Sequence, residues 1–381
     1  MELSWSLSEI YKSFKDEGFI NDILKLDKCI EDIKNFGTTF FERRDSNIKK
    51  IEEYIKKRSK FEELSNKLEI FINLSLSVNT KDKEALKYSD ILEKKLTEVV
   101  ETFAKIEKWI SSLENLSYII NQSSILKEHE FFLFEIVEKG RYILSEKEEN
   151  IISNMKNTGS WAKLKDNLVS NLMVDINGKE EPLTVVLNMA YDKDEKVRKS
   201  AYEAEIKSYK KVEEGVAAAL NGIKGEVITI SNIRGYKSPL QMTLLDSRMD
   251  EESLNAMLSA MKESLPVFRK YLRRKGELLG HKNGLPFYDL YAPIVDCEMK
   301  FSYEEAGDFV EKNFRSFSES LGNYARKAIN NRWIDVMPKE GKVGGAFCEN
   351  IHSIGESRFL LNFGGSFSDR SEEHTSELQS L

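Results

Sequence analysis

The stretch LEKKLTEVVETFAKIEKWISSL, residues 92–113, contains the most regular pattern in the chain. Its apolar positions recur in alternating steps of four and three residues, the spacing of a packed seam between antiparallel helices. A free coiled coil is the alternative, but the seam is short and residues 61–71 offer a partner within the chain. The pattern therefore predicts intramolecular helix packing. The seam positions are Leu92, Leu96, Val99, Phe103, Ile106, Ile110 and Leu113.

Helical periodicity extends over most of the chain around this stretch. Apolar residues recur at helical spacing from Ser6 to about Gln122, and again from Asp192 onward. A further run between Leu254 and Leu272 places apolar residues along one helix face, which predicts core packing. The chain of 381 residues has only 6 prolines, as expected for a mainly α-helical protein, because helix interiors exclude proline.

Two short regions have the character of β structure. Residues 172–176 and 182–187 are β-type runs on either side of Asn177-Gly178, a pair that favours a tight hairpin turn. The pattern leaves the register of this hairpin open. After Asn331, residues 345–348 and 358–363 are short β-like pieces separated by glycine and serine, and they predict a small sheet.

Composition excludes several classes of function. The formal net charge is -7, and no basic segment with interleaved aromatic residues is present, so no nucleic-acid partner is expected. Cys29, Cys297 and Cys348 are widely spaced and odd in number, which fits a reducing compartment. The N-terminus lacks the features of a signal peptide, and no apolar run approaches the roughly 20 residues of a membrane span. We expect a cytoplasmic protein with no membrane partner.

The residues alone provide no complete catalytic motif. A two-histidine zinc helix needs a second histidine four positions after the first, and none of His129, His281, His352 or His374 meets this requirement. His129-Glu130 begins like such a motif, but Leu133 stands where the second ligand belongs. A structural or surface role is favoured for His129.

Several segments in order resemble the oligoendopeptidase F family of thimet-type zinc metallopeptidases. The resemblance extends from the N-terminus to about Asp369. Its first part comprises WSLSEIY (5–11), TGSWAKL (158–164), VRKSAYEA (197–204), LNGIKG (220–225), RGYKSPL (234–240), KGELLG (275–280) and YDLYAP (288–293). Its last part comprises WIDV (333–336), GKVGGAFC (341–348) and FLLNFGGSFSD (359–369), which resemble the sheet beside the family's active site.

This resemblance implies a fragment of the multi-helical metallopeptidase fold, mainly α, with a small β-hairpin lobe and a short sheet near the C-terminus. We expect an N-terminal helical region over 1–122, a small lobe over 123–191 and the first part of the catalytic domain over 192–369. Residues 370–381 resemble a translated sequencing adapter and are interpreted as an artefactual tail. A genuine polar tail or an inverted metal motif is the alternative, and the latter would require histidine at the position of Leu378.

The resemblance implies a zinc-dependent endopeptidase that hydrolyses short peptides. In the family, a His-Glu-x-x-His helix and a later glutamate hold zinc, and these are expected after Asp369. We therefore expect no catalytic residue, no metal ligand, no bound zinc and no peptidase activity in the 381 residues. Gly344, Gly345, Ala346 and Phe347 are predicted to border the substrate, because an edge with little side-chain bulk admits a peptide backbone. The alternative is that these glycines serve a bulge or a turn.

Two further expectations follow. In the family, helices beyond Asp369 cover apolar faces of residues 195–369, so an exposed apolar patch is expected on this region. The alternative hypothesis for the whole chain is a non-catalytic helical scaffold or binding protein. That hypothesis explains the absence of a catalytic motif, but it does not explain the ordered peptidase-like segments.

Overall fold

A computed structural model describes residues 3–156, 158–294 and 301–365 of the chain. Helices dominate these residues and the strands are few and short, so the predicted mainly α fold class is confirmed. Cys297, His374 and the 370–381 segment lie outside the described residues. The first helices are α1 (Glu17–Thr39), α2 (Asn47–Val78), α3 (Lys83–Thr97), α4 (Val100–Ser111), α5 (Leu116–Ile120), α6 (Ser124–Glu128), α7 (Glu130–Gly140), α8 (Glu146–Met155) and α9 (Thr158–Ser170).

The seam predicted for residues 92–113 lies on two helices, because α3 ends at Thr97 and α4 begins at Val100. Leu92 and Val99 are buried in one cluster with Leu68 and Phe71 of α2. Ile110 belongs to a second buried cluster that α1 and α2 also line. The predicted intramolecular packing is confirmed, with the segment around Leu68 as the partner.

The predicted hairpin is present but shorter than expected. Strand β1 (Met173–Ile176) pairs with β2 (Lys179–Pro182), with Ile176 opposite Lys179. Asn177 and Gly178 both have positive φ, 55° and 80°, as a two-residue turn requires. Residues after Pro182 form helix α10 (Leu183–Asn188), so the prediction of a strand there is wrong. Leu183 and Val186, at helical spacing, are the residues of this segment that the local core buries.

The remaining helices are capped by residues that the sequence supplies. Ser302 and Glu305 form a capping box at the start of one helix, and Ser238 caps another just before Pro239. Gly235, with φ 80°, ends a helix in the left-handed conformation. These helices are α11 (Glu195–Tyr209), α12 (Glu213–Arg234), α13 (Pro239–Asp246), α14 (Glu251–Leu278), α15 (Tyr303–Phe317) and α16 (Glu319–Asn330).

The predicted small sheet contains three strands in the order β3-β5-β4. Strand β3 (Ile334–Asp335) is parallel to β5 (Glu356–Leu360), and β4 (Phe347–Ile351) is antiparallel to β5. One side of the sheet contributes Leu360 to the N-terminal core cluster, and the other contributes Phe359 to a cluster with α15 and α16. The sheet therefore joins the N-terminal helices to the C-terminal ones.

Helix α14 departs from the sequence-based prediction of core packing. Leu258, Met261, Leu265 and Phe268 lie on the predicted face and are 39%, 57%, 43% and 60% exposed. The prediction of core packing is therefore wrong within the described residues, whereas the expected exposed apolar patch is present. Periodicity shows that a helix has an apolar face, but it does not show what covers that face. Among the described residues, no helix combines the length and the hydropathy needed to cross a membrane.

Asp22 generates a prediction about acid stability. Its carboxylate accepts hydrogen bonds from Tyr11 Oη at 2.8 Å, Lys25 Nζ at 2.8 Å and Lys67 Nζ at 2.9 Å. Burial alone would raise the pKa of Asp22, but these bonds more than offset it and lower the pKa to about 2. Because the folded pKa lies below the unfolded one, the stabilisation is complete above pH ~4 and is lost as the pH falls toward 2.

Between pH ~4 and pH ~2, we expect the free energy of unfolding of the wild type to fall by about 2 kcal/mol because Asp22 becomes protonated. Asp22→Asn is expected to lack this part of the decrease. Urea unfolding at a series of pH values measures it. Asp90→Asn is the matched control, because the Asp90 side chain is 70% exposed, and this variant is expected to follow the wild type. Identical pH profiles for Asp22→Asn and the wild type would contradict the assignment.

Candidate functional site

The four residues predicted to border the substrate do not form a single strand. Phe347 begins strand β4, whereas Gly344, Gly345 and Ala346 form an exposed bend before it. Gly345 has φ +81°, which interrupts the extended backbone and favours glycine. The β-like piece predicted over residues 345–348 therefore begins only at Phe347, and the alternative of a turn describes the two glycines. Residues 344–346 are called the glycine bend below.

Asn362, just after β5, holds the glycine bend in place. Its Nδ2 donates to Val343 O at 3.0 Å and to Gly345 O at 2.8 Å. Asn188 in turn donates from Nδ2 to Asn362 O at 3.0 Å. A Cβ added at Gly364 would lie 2.7 Å from Asn188 Nδ2, so glycine is needed there for this close approach. The bend is thus fixed by side chains from two separate parts of the chain.

A cavity of about 380 Å³ opens beside the glycine bend. Its walls are formed by helices α10 and α11, the turn at Phe287–Asp289 and residues 361–363. Gly345 and Ala346 also line it. Aromatic side chains dominate the walls, and we call it the aromatic cavity. Its aromatic residues are Tyr191, Tyr202, Phe287, Tyr288, Tyr291 and Phe363.

Two polar atoms of residues that line the aromatic cavity are buried without a hydrogen-bond partner among the described residues. They are Asn362 Oδ1 and Thr184 Oγ1. The orientation of the Asn362 amide follows from its contacts, because Nδ2 faces two carbonyl oxygens and must be the donor. Oδ1 is therefore an acceptor that lacks a donor. Such buried atoms are costly unless a ligand or water satisfies them.

A buried ion pair holds helix α11, which forms one wall of the aromatic cavity. Arg198 is 4% exposed and Asp289 is 1% exposed. Asp289 Oδ1 accepts from Arg198 Nε at 2.8 Å and lies 2.7 Å from Nη2, while His281 Nε2 lies 2.5 Å from Asp289 Oδ2. Lys275 of α14 donates to Leu290 O at 2.7 Å, and burial, followed by the nearby Arg198 charge, lowers the pKa of Lys275.

The same cluster offers candidate metal ligands, and it does not fit zinc. Donor atoms of Glu195, His281 and Asp289 all lie within 4.8 Å of one another. However, Asp289 already binds the guanidinium of Arg198 through Oδ1, and the ammonium of Lys275 is a second neighbouring positive charge. A divalent cation would have to displace this buried ion pair or lie beside two positive charges. The cluster is better described as an anchor between α11, α14 and the 287–289 turn.

Comparison with known proteins places the chain in a family. The model for peptidase family M3 matches residues 188–372, and the model for oligopeptidase F matches residues 103–172. Oligopeptidase PepF of Bacillus subtilis is 24% identical over 372 residues, which span 94% of this chain and 54% of PepF. Group B oligopeptidase PepB of Streptococcus agalactiae is 24% identical over 374 residues, 94% of this chain and 60% of PepB.

The chain belongs to the oligoendopeptidase F family. Solved structures agree on the fold. PZ peptidase A with an inhibitor has a TM-score of 0.72 at 16% identity, and the match covers 91% of this chain and 60% of the PZ peptidase chain. Oligoendopeptidase F from Enterococcus faecium has a TM-score of 0.62 at 15% identity, and the match covers 81% of this chain and 66% of the Enterococcus chain. The chain spans only 54% and 60% of the length of PepF and PepB.

The oligoendopeptidase F resemblance in the sequence did not single out the residues that anchor this site. Arg198, Asp289 and Asn362 all lie in the segments that carry the resemblance, yet no local motif marks them. Among the described residues, His129 and His352 belong to no cluster of metal-ligand type. His129 instead places Nδ1 3.0 Å from Ile125 O. The structural role predicted for His129 agrees with this contact.

Asn362→Asp is expected to loosen the glycine bend. At neutral pH the carboxylate would face the carbonyl oxygens of Val343 and Gly345 with no hydrogen to donate. We expect a loss of about 2–3 kcal/mol in the free energy of unfolding, together with faster amide hydrogen exchange at residues 344–347. Denaturant unfolding and exchange mass spectrometry measure the two effects.

Asn73→Asp is the matched control, since Asn73 is exposed on α2, and a change below about 0.5 kcal/mol is expected for it. If Asn362→Asp were as stable as this control and exchanged at the wild-type rate, the glycine bend would not depend on Asn362.

Proposed function

We propose that this chain is the substrate-facing front part of a zinc-dependent metalloendopeptidase that hydrolyses short peptides. The observation that carries the proposal is the match of residues 188–372 to peptidase family M3. That range contains the glycine bend, most of the residues that line the aromatic cavity, and the ion pair beside its wall. The names of the relatives PepF and PepB, both oligopeptidases, support peptide substrates.

The described residues are suited to binding a peptide. Gly344, Gly345 and Ala346 are exposed, so their main chain is accessible and little side-chain bulk blocks an approaching peptide. Asn362 keeps this main chain in one conformation. We propose that an extended peptide lies along the glycine bend and the start of β4 at Phe347, with one side chain or terminus in the aromatic cavity.

The family's zinc would supply a Lewis acid that activates water for attack on the peptide carbonyl. The cluster of Glu195, His281 and Asp289 does not fit that ion, and the 381 residues contain no His-Glu-x-x-His sequence. We therefore propose that binding and hydrolysis depend on different parts of the whole protein. The division at residues 122, 191 and 369 remains our proposal for its organisation, as does a cytoplasmic location.

The 381-residue chain is expected to lack peptidase activity. The measurement is the cleavage of an internally quenched fluorescent peptide by the purified chain, with and without added Zn²⁺ and with a chelator. No turnover above the rate of the peptide alone is expected in any condition. Chelator-sensitive cleavage that co-purifies with the chain would contradict the prediction and would require zinc ligands among these residues.

The gene is expected to continue in frame past the codon for Asp369 into a His-Glu-x-x-His segment with a later glutamate. Sequencing the source gene across this codon tests the prediction, and the codons for residues 1–369 serve as the internal control. A gene that encodes residues 370–381 as given and then stops would contradict both the metallopeptidase proposal and the interpretation of residues 370–381 as an artefact.

A non-catalytic binding protein is the second candidate, and the exposed face of one helix is expected from it as well as from the peptidase. Helix α14 presents an apolar face to solvent, with Met261 and Phe268 57% and 60% exposed. Such a face is typical of a surface that packs against another segment or another protein. A native stop codon directly after Leu381 would favour this candidate, whereas a continuing reading frame would favour the peptidase.

A further inference from the structure

The aromatic cavity contains a carboxylate that no basic side chain neutralises within the described residues. Glu205 of α11 lines the cavity, and its Oε1 accepts from Tyr209 Oη at 2.6 Å. Burial and the adjacent Glu205 charge both raise the pKa of Tyr209, so the hydroxyl remains a protonated donor. A hydroxyl donor stabilises the carboxylate but does not cancel its charge.

The other charged residue of the aromatic cavity, Arg198, is already neutralised. Its guanidinium binds Asp289, and its Nη1 donates to Asp192 O at 2.7 Å and to Lys193 O at 3.0 Å. These contacts hold the guanidinium toward the 287–289 turn and leave little capacity for a ligand. The charge that remains to be matched inside the cavity is therefore the negative charge of Glu205.

Two pairs of aromatic rings line the same cavity as this carboxylate. The rings of Tyr191 and Tyr291 are tilted by 36° with centroids 5.0 Å apart. The rings of Tyr202 and Phe287 are tilted by 40° with centroids 5.7 Å apart. Aromatic faces attract cations through the ring quadrupole, and a nearby carboxylate adds to that attraction. An uncharged apolar group would instead desolvate Glu205 without compensation.

We propose that the aromatic cavity binds a positively charged group of a peptide, with Glu205 as the residue that selects for the charge. The group is either the side chain of a lysine or arginine or the free amino terminus. This inference rests on the proposed peptide substrate and adds the charge class that the protein prefers.

The test compares peptide binding to the 381-residue chain by isothermal titration calorimetry. One probe is an N-acetylated, C-amidated alanine pentapeptide with a central lysine, and the second replaces the lysine with norleucine. The third is the norleucine peptide with a free amino terminus. We expect at least one charged probe to bind about tenfold tighter than the blocked norleucine probe. The identity of that probe distinguishes a side chain from a terminus.

Glu205→Gln is expected to reduce this preference to within about twofold, because the amide keeps the shape but loses the charge. Glu203→Gln is the matched control, since Glu203 is exposed on the same helix and its variant has the same net charge. The control is expected to keep the preference. Equal loss in both variants would overturn the proposal and would indicate a general effect of net charge.

A second variant guards against loss of folding in Glu205→Gln. Tyr202→Leu removes an aromatic face without changing the net charge, and it is expected to reduce the preference about threefold. Thermal unfolding of each variant verifies that the fold is retained. An unchanged preference in a folded Tyr202→Leu and a folded Glu205→Gln would overturn the proposal.

The outcomes separate this inference from the proposed function. If the three probes bind with equal affinity, the charge selection is wrong, while peptide binding by the chain stands. If none binds, both the charge selection and the peptide site in the aromatic cavity are wrong for the 381-residue chain. The peptidase proposal for the whole protein is then still decided by the reading frame beyond Asp369.

Discussion

A buried ammonium group fixes the backbone that leads into the glycine bend. Lys342 is completely buried, and its Nζ donates to Asp335 Oδ1 at 2.6 Å, Asp335 O at 3.1 Å and Met337 O at 2.9 Å. Burial lowers the pKa of Lys342, although Asp335 opposes this shift. Because an unpaired buried charge is strongly destabilising, Lys342 cannot leave Asp335. The start of the glycine bend is thereby tied to strand β3.

The aromatic cavity depends on the same kind of constraint at a different place in the fold. The buried pair of Arg198 and Asp289 holds α11 against the 287–289 turn, across 91 residues of sequence. Asn362 adds a third contact, because its side chain binds the glycine bend and its carbonyl oxygen accepts a hydrogen bond from Asn188 of α10. The site is therefore an assembly of distant segments, each held by a buried polar contact with little freedom in its geometry.

The sequence predicts those features that local chemistry determines. The seam from Leu92 to Leu113 and the Asn177-Gly178 turn follow from spacing and from backbone preference, and both are present. Local patterns fail where tertiary contacts decide. Leu183 lies in a helix rather than a strand, because the local core buries Leu183 and Val186, which are three positions apart. The apolar face of α14 remains exposed despite its periodicity. The anchoring role of Asn362 has no local signal, since its partners lie 17 and 19 residues away.

The positive charges around Asp289 explain why one cluster can oppose a metal ion while the neighbouring cavity favours a cation. Arg198 and Lys275 surround Asp289, so a divalent ion there would meet two fixed charges of its own sign. Glu205 lies on the same helix as Arg198 but about two turns further along, and Tyr209 rather than a basic residue binds it. Because opposite charges in contact largely cancel each other's field at longer distances, Asp289 offsets most of the Arg198 charge. Among the described residues that line the aromatic cavity, Glu205 is then the charged side chain that lacks an oppositely charged partner.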